Sequence, residues 1–279
     1  MRFLTVFFAA TCLFGQAIPE KAWTALDQGI HDTNPLKRMQ AVNAMAVLHP
    51  EARVTALLES ALDDKVSGVR EAACVVLGQV KARTSIPKLQ AALKDKVNEV
   101  VFAAAKALYG MGDEFGRAVM EAILLGEQSD ASGFVSSSVR DIKLKLHDPK
   151  QVLLLGAESG AGFLVPGGGA IGPVGEGLMK DKQASGQTVA ALLLAADKTP
   201  ESLDALRRAL AEKNWTVRAA AARAVAMRDA ATLYDDVAML LADKKEEVQY
   251  SAAASLIRLK QPAGAWEGPV LEGAPSGAR

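Results

Sequence analysis

The sequence predicts an all-α chain, an α-α superhelix of stacked helix pairs interrupted by a glycine-rich insertion. Three observations lead there. First, an acidic residue a few positions ahead of an Ala/Val/Leu-rich helix recurs at Asp32, Asp64, Asp95, Asp181, Glu212 and Asp243, with separations of 32, 31, 86, 31 and 31 residues. A fixed phase of this kind marks a stacked array, in which each unit buries its apolar face only against its neighbours. Second, half of the 279 residues are hydrophobic but only 5% are aromatic, so small aliphatic side chains fill the core and let helices approach closely. Third, the period breaks between Asp95 and Asp181. The stretch "GAESGAGFLVPGGGAIGPVGEG" (156–177) lies there, with nine glycines plus Pro166 and Pro173, a composition that does not support a continuous helix.

Each unit places a first helix before its anchor and a second helix after it. The first helices are expected at 20–30, 51–62, 87–93, 200–211 and 230–242, and the second helices at 36–48, 69–80, 100–110, 187–195, 217–227 and 248–259. Pro87 and Pro200 suit a first helical turn, where a missing amide hydrogen costs nothing, and Thr199 stands where a cap belongs. Counting from the anchor, positions 5, 8, 9, 12 and 13 are mostly apolar and share one helical face, the expected core. Positions 3, 7, 11 and 14 share another face, on which the copies differ. A drifted fourth pair fits 115–125 and 134–147.

The copy "DDKVSGVREAACVVLG" resembles the HEAT-like repeats of the phycobilisome-lyase type, whose pattern is an acidic residue, then Val-Arg, then an Ala-rich helix ending in Leu-Gly. "EKNWTVRAAAARAVA" is a good second match, and "DKVNEVVFAAAKALYG" fits with Val101 in place of Arg. The resemblance covers most of 22–260 and implies a fold more than a reaction. It implies that Asp64, Arg70, Glu212 and Arg218 act as helix caps and inter-repeat pairs, in keeping with ordinary carboxylate and guanidinium stabilisation. Lyases of this repeat type deliver a tetrapyrrole chromophore to a partner cysteine. A small-molecule-handling role of that kind is the alternative to a scaffold.

The segment "MRFLTVFFAATCLFGQA" (1–17) reads as a cleaved secretory signal: one early cation at Arg2, an apolar run, and small residues at Gly15 and Ala17. A membrane anchor is disfavoured because a spanning helix needs about 20 apolar residues. A lipoprotein reading through Cys12 is weakened by Thr11. The expected organisation is therefore a signal at 1–17, N-terminal repeats at 20–148, the glycine-rich insertion at 149–180, C-terminal repeats at 181–260 and a loose tail at 261–279, with Trp266 as its one anchor. The expected location is the periplasm or the outside of the cell.

Removal of that signal leaves 31 Lys plus Arg against 32 Asp plus Glu. No cationic excess favours nucleic acid. Cys74 becomes the single thiol, and its counterparts Val42, Ala105, Ala191, Ala222 and Ala253 mark it as a buried core position. The glycines match G-x-G-x-x-G at Gly167, Gly169 and Gly172, but that turn needs a strand before it and a parallel sheet around it. The general repeat type is also that of deoxyhypusine hydroxylase, whose iron site depends on His-Glu pairs. No His-Glu dipeptide occurs here, and His31, His49 and His147 are scattered, so neither metal nor cofactor is expected.

What remains is a non-catalytic scaffold for a protein partner, with peripheral membrane contact through the insertion left open. The candidate binding residues lie on the variable face of the second helices: Glu71, Phe102, Lys106, Tyr109, Trp215, Arg223 and Tyr250. Phe102, Lys106 and Tyr109 share a helical stripe, and exposed aromatics beside cations are common binding anchors.

Overall fold

The anchor carboxylates turn the chain from one helix into the next. In the computed structural model, Asp64 Oδ1 accepts the Val66 amide at 2.8 Å, Asp95 Oδ1 that of Val97 at 2.8 Å, and Asp243 Oδ1 that of Lys245 at 2.9 Å. Asp32 does the same for Asn34 at 2.8 Å. Each is a short side-chain-to-backbone turn that stops one helix and aims the next. The structure describes residues 5–125 and 182–261, with side chains at 18–121 and 186–261. The expected helix at 134–147, the insertion at 149–180, the anchor Asp181 and the tail beyond Gln261 lie outside the described residues.

Among the described residues every regular element is helical. These are α1 (Thr5–Ile30), α2 (Pro35–Ala44), α3 (Ala52–Ala61), α4 (Ser67–Gln79), α5 (Ile86–Ala92), α6 (Asn98–Gly110), α7 (Glu114–Leu125), α8 (Lys182–Leu194), α9 (Pro200–Leu210), α10 (Trp215–Arg228), α11 (Tyr234–Met239) and α12 (Glu246–Arg258), with short 3₁₀ turns between some of them. Thr199 caps α9 as expected: its side chain accepts the Ser202 amide, and Pro200 occupies the first turn. Glu212 departs from expectation. It does not form the two-residue turn of the aspartates, and Asn214 caps α10 instead by accepting the Thr216 amide at 2.9 Å. The first helix also begins earlier than expected, running through Pro19.

The helices fall into two compact units. One contains α3–α7. There α4 packs on α6, with α3 against α4 and α5 and α7 against α6. Its core is the predicted stripe: Val69, Ala72, Ala73, Val76 and Leu77 on α4, and Val100, Ala103, Ala104, Ala107 and Leu108 on α6, are all buried. Each buried Leu or Val contributes roughly 1.5–3 kcal/mol. The close approach of α4 to α6 depends on Gly78, where a Cβ would stand 2.7 Å from the Ala107 Cβ and 2.9 Å from its Cα.

The other unit contains α8–α12 together with α1 and α2. α10 packs between α8 and α12, and α12 in turn carries α1 and α2. The order of packing is thus not the order of the chain. Position 10 of the repeat is fully or nearly fully buried in all six second helices, at Val42, Cys74, Ala105, Ala191, Ala222 and Ala253. The expected core stripe slips in α8, where Thr188 and Ala191, and Ala195 just past its end, are buried while Leu193 is 53% exposed.

Three second helices, α4, α6 and α10, also end alike. Lys81 (φ 53°), Gly112 (φ 77°) and Asp229 (φ 57°) adopt the left-handed conformation, and the next amide reaches back to Leu77, Leu108 and Val225 respectively at 3.0 Å. This is the helix-ending hydrogen-bond pattern that glycine makes easiest. Gly78→Val is expected to destabilise the chain by about 1–3 kcal/mol through overpacking. Gly110→Ala, whose Cβ would meet nothing within 4 Å, is expected to raise stability by about 0.5 kcal/mol through helix propensity. Thermal melts followed by circular dichroism check both.

Candidate functional site

The most ordered polar feature of the repeats is the link between one second helix and the next anchor. Arg70, six residues after Asp64, donates Nη1 to the Asp64 carbonyl at 2.8 Å. The same guanidinium grips Asp95 with Nε at 2.6 Å and Nη2 at 2.8 Å. Arg218 repeats the arrangement, with Nη1 to the Glu212 carbonyl at 2.7 Å and Nε and Nη2 to Asp243 at 2.7 and 2.9 Å. The two-pronged fork matches the carboxylate geometry. Both pairs are largely enclosed, with side-chain exposures of 9% and 12% in the first and 15% and 8% in the second. At Asp95 burial raises the carboxyl, but the Arg70 hydrogen bonds and the Val97 amide outweigh it, and the group lies below the ordinary aspartate value of 3.8. Asp243 is lowered against burial by Arg218 and the Lys245 amide. With every strong acceptor engaged, these pairs are structural fasteners.

The variable face behaves differently in the two units. On α4, Glu71 is half-buried; on α6, Phe102 is half-buried while Lys106 and Tyr109 are exposed, Tyr109 at 57%. Phe102, Lys106 and Tyr109 therefore follow one stripe with its solvent-facing end at Tyr109. The sequence reading missed Phe115, which is 61% exposed in the first turn of α7. Asp113 caps that turn by accepting the Phe115 amide at 3.0 Å, and Gln90 holds the other carboxylate oxygen at 3.0 Å. The Gly116 backbone lies against Leu108 and Tyr109, so the first turn of α7 is held close to the C-terminal end of α6. An aromatic two residues past a capping aspartate was the available signal.

Trp215 opens α10 and is half-buried. Arg223 and Tyr250 correct the expectation of an exposed face, since they are 8% and 6% exposed. Tyr250 fills the notch between α12 and the N-terminal pair: a Cβ on Gly29 would stand 2.7 Å from both its ring and the Ala41 Cβ. Burial pushes its hydroxyl up to about 12. Arg223 sits on a helix covered on all sides by α8, α9, α12 and the 3₁₀ turn Met45–Val47, and burial lowers its guanidinium to about 10. The N-terminal pair packs against α12 and, through that turn, against α10, so the variable face of the C-terminal repeats is interior.

Cys74 is fully buried, and burial pushes its thiol up to about 12, far from a reactive thiolate. Among the described residues no group of three or more His, Cys, Asp or Glu could hold a metal ion, and no helix is long and apolar enough to cross a membrane.

The sequence family described as HEAT repeats matches residues 67–131 and 173–257, more than half of the chain. The chain is a HEAT-repeat protein. Its matched regions bracket both Arg–Asp fasteners and the α6 stripe. Among solved structures, that of human deoxyhypusine hydroxylase in complex with glycerol is similar at 18% identity and a TM-score of 0.34, over 89% of this chain and 99% of that one. No curated protein matches the sequence.

Because each fastener leaves an enclosed carboxylate when its partner is lost, Arg70→Gln is expected to cost about 3 kcal/mol. The depressed aspartates hold stability that is fully present above pH 3.8 and lost as pH falls further through their folded values. Acid titration of the melting temperature should therefore show a shallower loss in Arg70→Gln and Arg218→Gln than in the wild type.

Proposed function

We propose that this HEAT-repeat protein is an exported, non-catalytic scaffold that binds a protein partner through the α6–α7 surface. The observation that carries the reading is the exposure of two aromatic rings, Tyr109 on α6 and Phe115 on α7, helices that pack on one another, with Lys106 one turn back from Tyr109 on the same stripe. The other exposed large apolar side chains among the described residues, Leu36, Leu193 and Met239, are not aromatic, and Tyr250 is buried. Aromatic rings with a neighbouring cation supply contact area at low entropic cost and recur as interface anchors. The segment 1–17 supplies the export signal, and cleavage after Ala17 leaves Ile18 as the first residue. Among the residues whose side chains are described, the first buried one in α1 is Ala22, beyond that cleavage point.

Replacing both Tyr109 and Phe115 with Ser should abolish partner capture from the secreted or periplasmic fraction of the source cells while shifting the melting temperature by less than about 3 °C, since exposed substitutions change stability by under about 0.5 kcal/mol. Undiminished capture would reject the surface. Intact-mass measurement of the exported protein should give a chain beginning at Ile18, and a mass retaining 1–17 would reject export by cleavage.

A further inference from the structure

The contact between the two ends of the described chain is extensive and specific. Ala22, Leu26 and Ile30 of α1 and Ala41 of α2 are buried, as are Tyr250, Ala253, Ala254 and Ile257 of α12. Tyr250 lies in the notch formed by Gly29 and Ala41, which no larger residue at 29 could leave open. At the edge, Lys37 Nζ meets Glu246 Oε1 at 2.8 Å and Gln40 Nε2 meets Glu247 Oε1 at 2.6 Å. These links tie residues more than 200 positions apart.

Neither side is self-sufficient. α12 is buried at every position from Tyr250 to Arg258, which requires neighbours all round: α10 and α11 supply part, α1 and α2 the rest. The α1 segment after Ala17 has 13 residues, a length that is marginal for an isolated helix in water. A repeat stack also needs a terminal layer with a polar outer side. α1 provides one, since Glu20, Lys21, Thr24, Asp27 and Gln28 point to solvent or its margin.

We propose that residues 18–48 are the terminal layer of the C-terminal stack and that α1, α2 and α12 fold as one cooperative element. The N-terminal pair then docks only once α12 is present, because α12 is its platform. Until α12 exists, the N-terminal pair lacks the surface on which it packs within its unit. The inference rests on the packing and is independent of the α6–α7 surface; only the shortness of α1 rests on the proposed cleavage after Ala17.

Hydrogen exchange by mass spectrometry on the full chain tests it. Gly29→Val drives a side chain into Ala41 and Tyr250. It should speed exchange at least tenfold in α1, α2 and α12 together, while α4 and α6 keep their wild-type rates. Tyr250→Ala, a milder change made from the other side, should speed exchange in α1 as well as α12 and serves if Gly29→Val does not fold. Pulse labelling during refolding should show α1 and α12 gaining protection with one rate constant. Retained protection in α12 while α1 opens, or α12 protected ahead of α1 during refolding, would overturn the proposal.

Discussion

A single guanidinium–carboxylate fork between neighbouring repeats carries the geometry of the fold. The anchor aspartate closes the turn between one helix and the next through its side chain, as at Asp64, Asp95 and Asp243. The arginine six residues on takes the preceding backbone carbonyl and the carboxylate of the following repeat with the same planar group. Helix entry angle, repeat phase and spacing to the next layer are thereby coupled. Apolar burial supplies most of the free energy but is indifferent to register; the fork is directional and is not. Where Gln249 replaces the arginine, it keeps the backward half of the link, Nε2 to the Asp243 carbonyl at 2.6 Å. The neighbour of that helix is the N-terminal pair, held instead by Lys37 and Gln40.

Most of the fold was legible because its determinants are local. The acidic anchor, the proline in a first turn and the apolar stripe act within one or two helical turns, and α4, α6, α9, α10 and α12 lie within two residues of their expected bounds. The roles of Asp64, Arg70 and Arg218 followed from the repeat pattern. What could not be read was non-local. Nothing around Gly29, Lys37 or Gln40 announces a partner at Glu246, Glu247 and Tyr250, because such a pairing leaves no mark on the periodicity of either segment. Arg223 and Tyr250 were misplaced for that reason. Their repeat position faces solvent only if no other helix is laid across it. The slip of the core stripe in α8 has the same origin, since burial there follows what α10 covers.

The variable face thus has two fates in one protein. In the C-terminal repeats it is consumed by the chain's own beginning, and its aromatic and cationic residues become packing. On α6 and α7 it reaches solvent, and Lys106, Tyr109 and Phe115 stand there. Repeat arrays host function in the places where copies differ. Here the difference in side chains mattered less than the difference in what covers them.

Cys74 offers a use despite its chemical inertness. Its sulfur lies at the innermost position of α4, and burial holds the thiol protonated with a value of about 12. Closed, it is inert toward alkylating reagents; opened, it reverts to an ordinary thiol of pKa about 8.5. The only other cysteine, Cys12, lies within the first 17 residues. In a chain starting at Ile18, the pace of alkylation at this one sulfur is a native clock for the breathing of the α3–α7 unit, built into the sequence without any label.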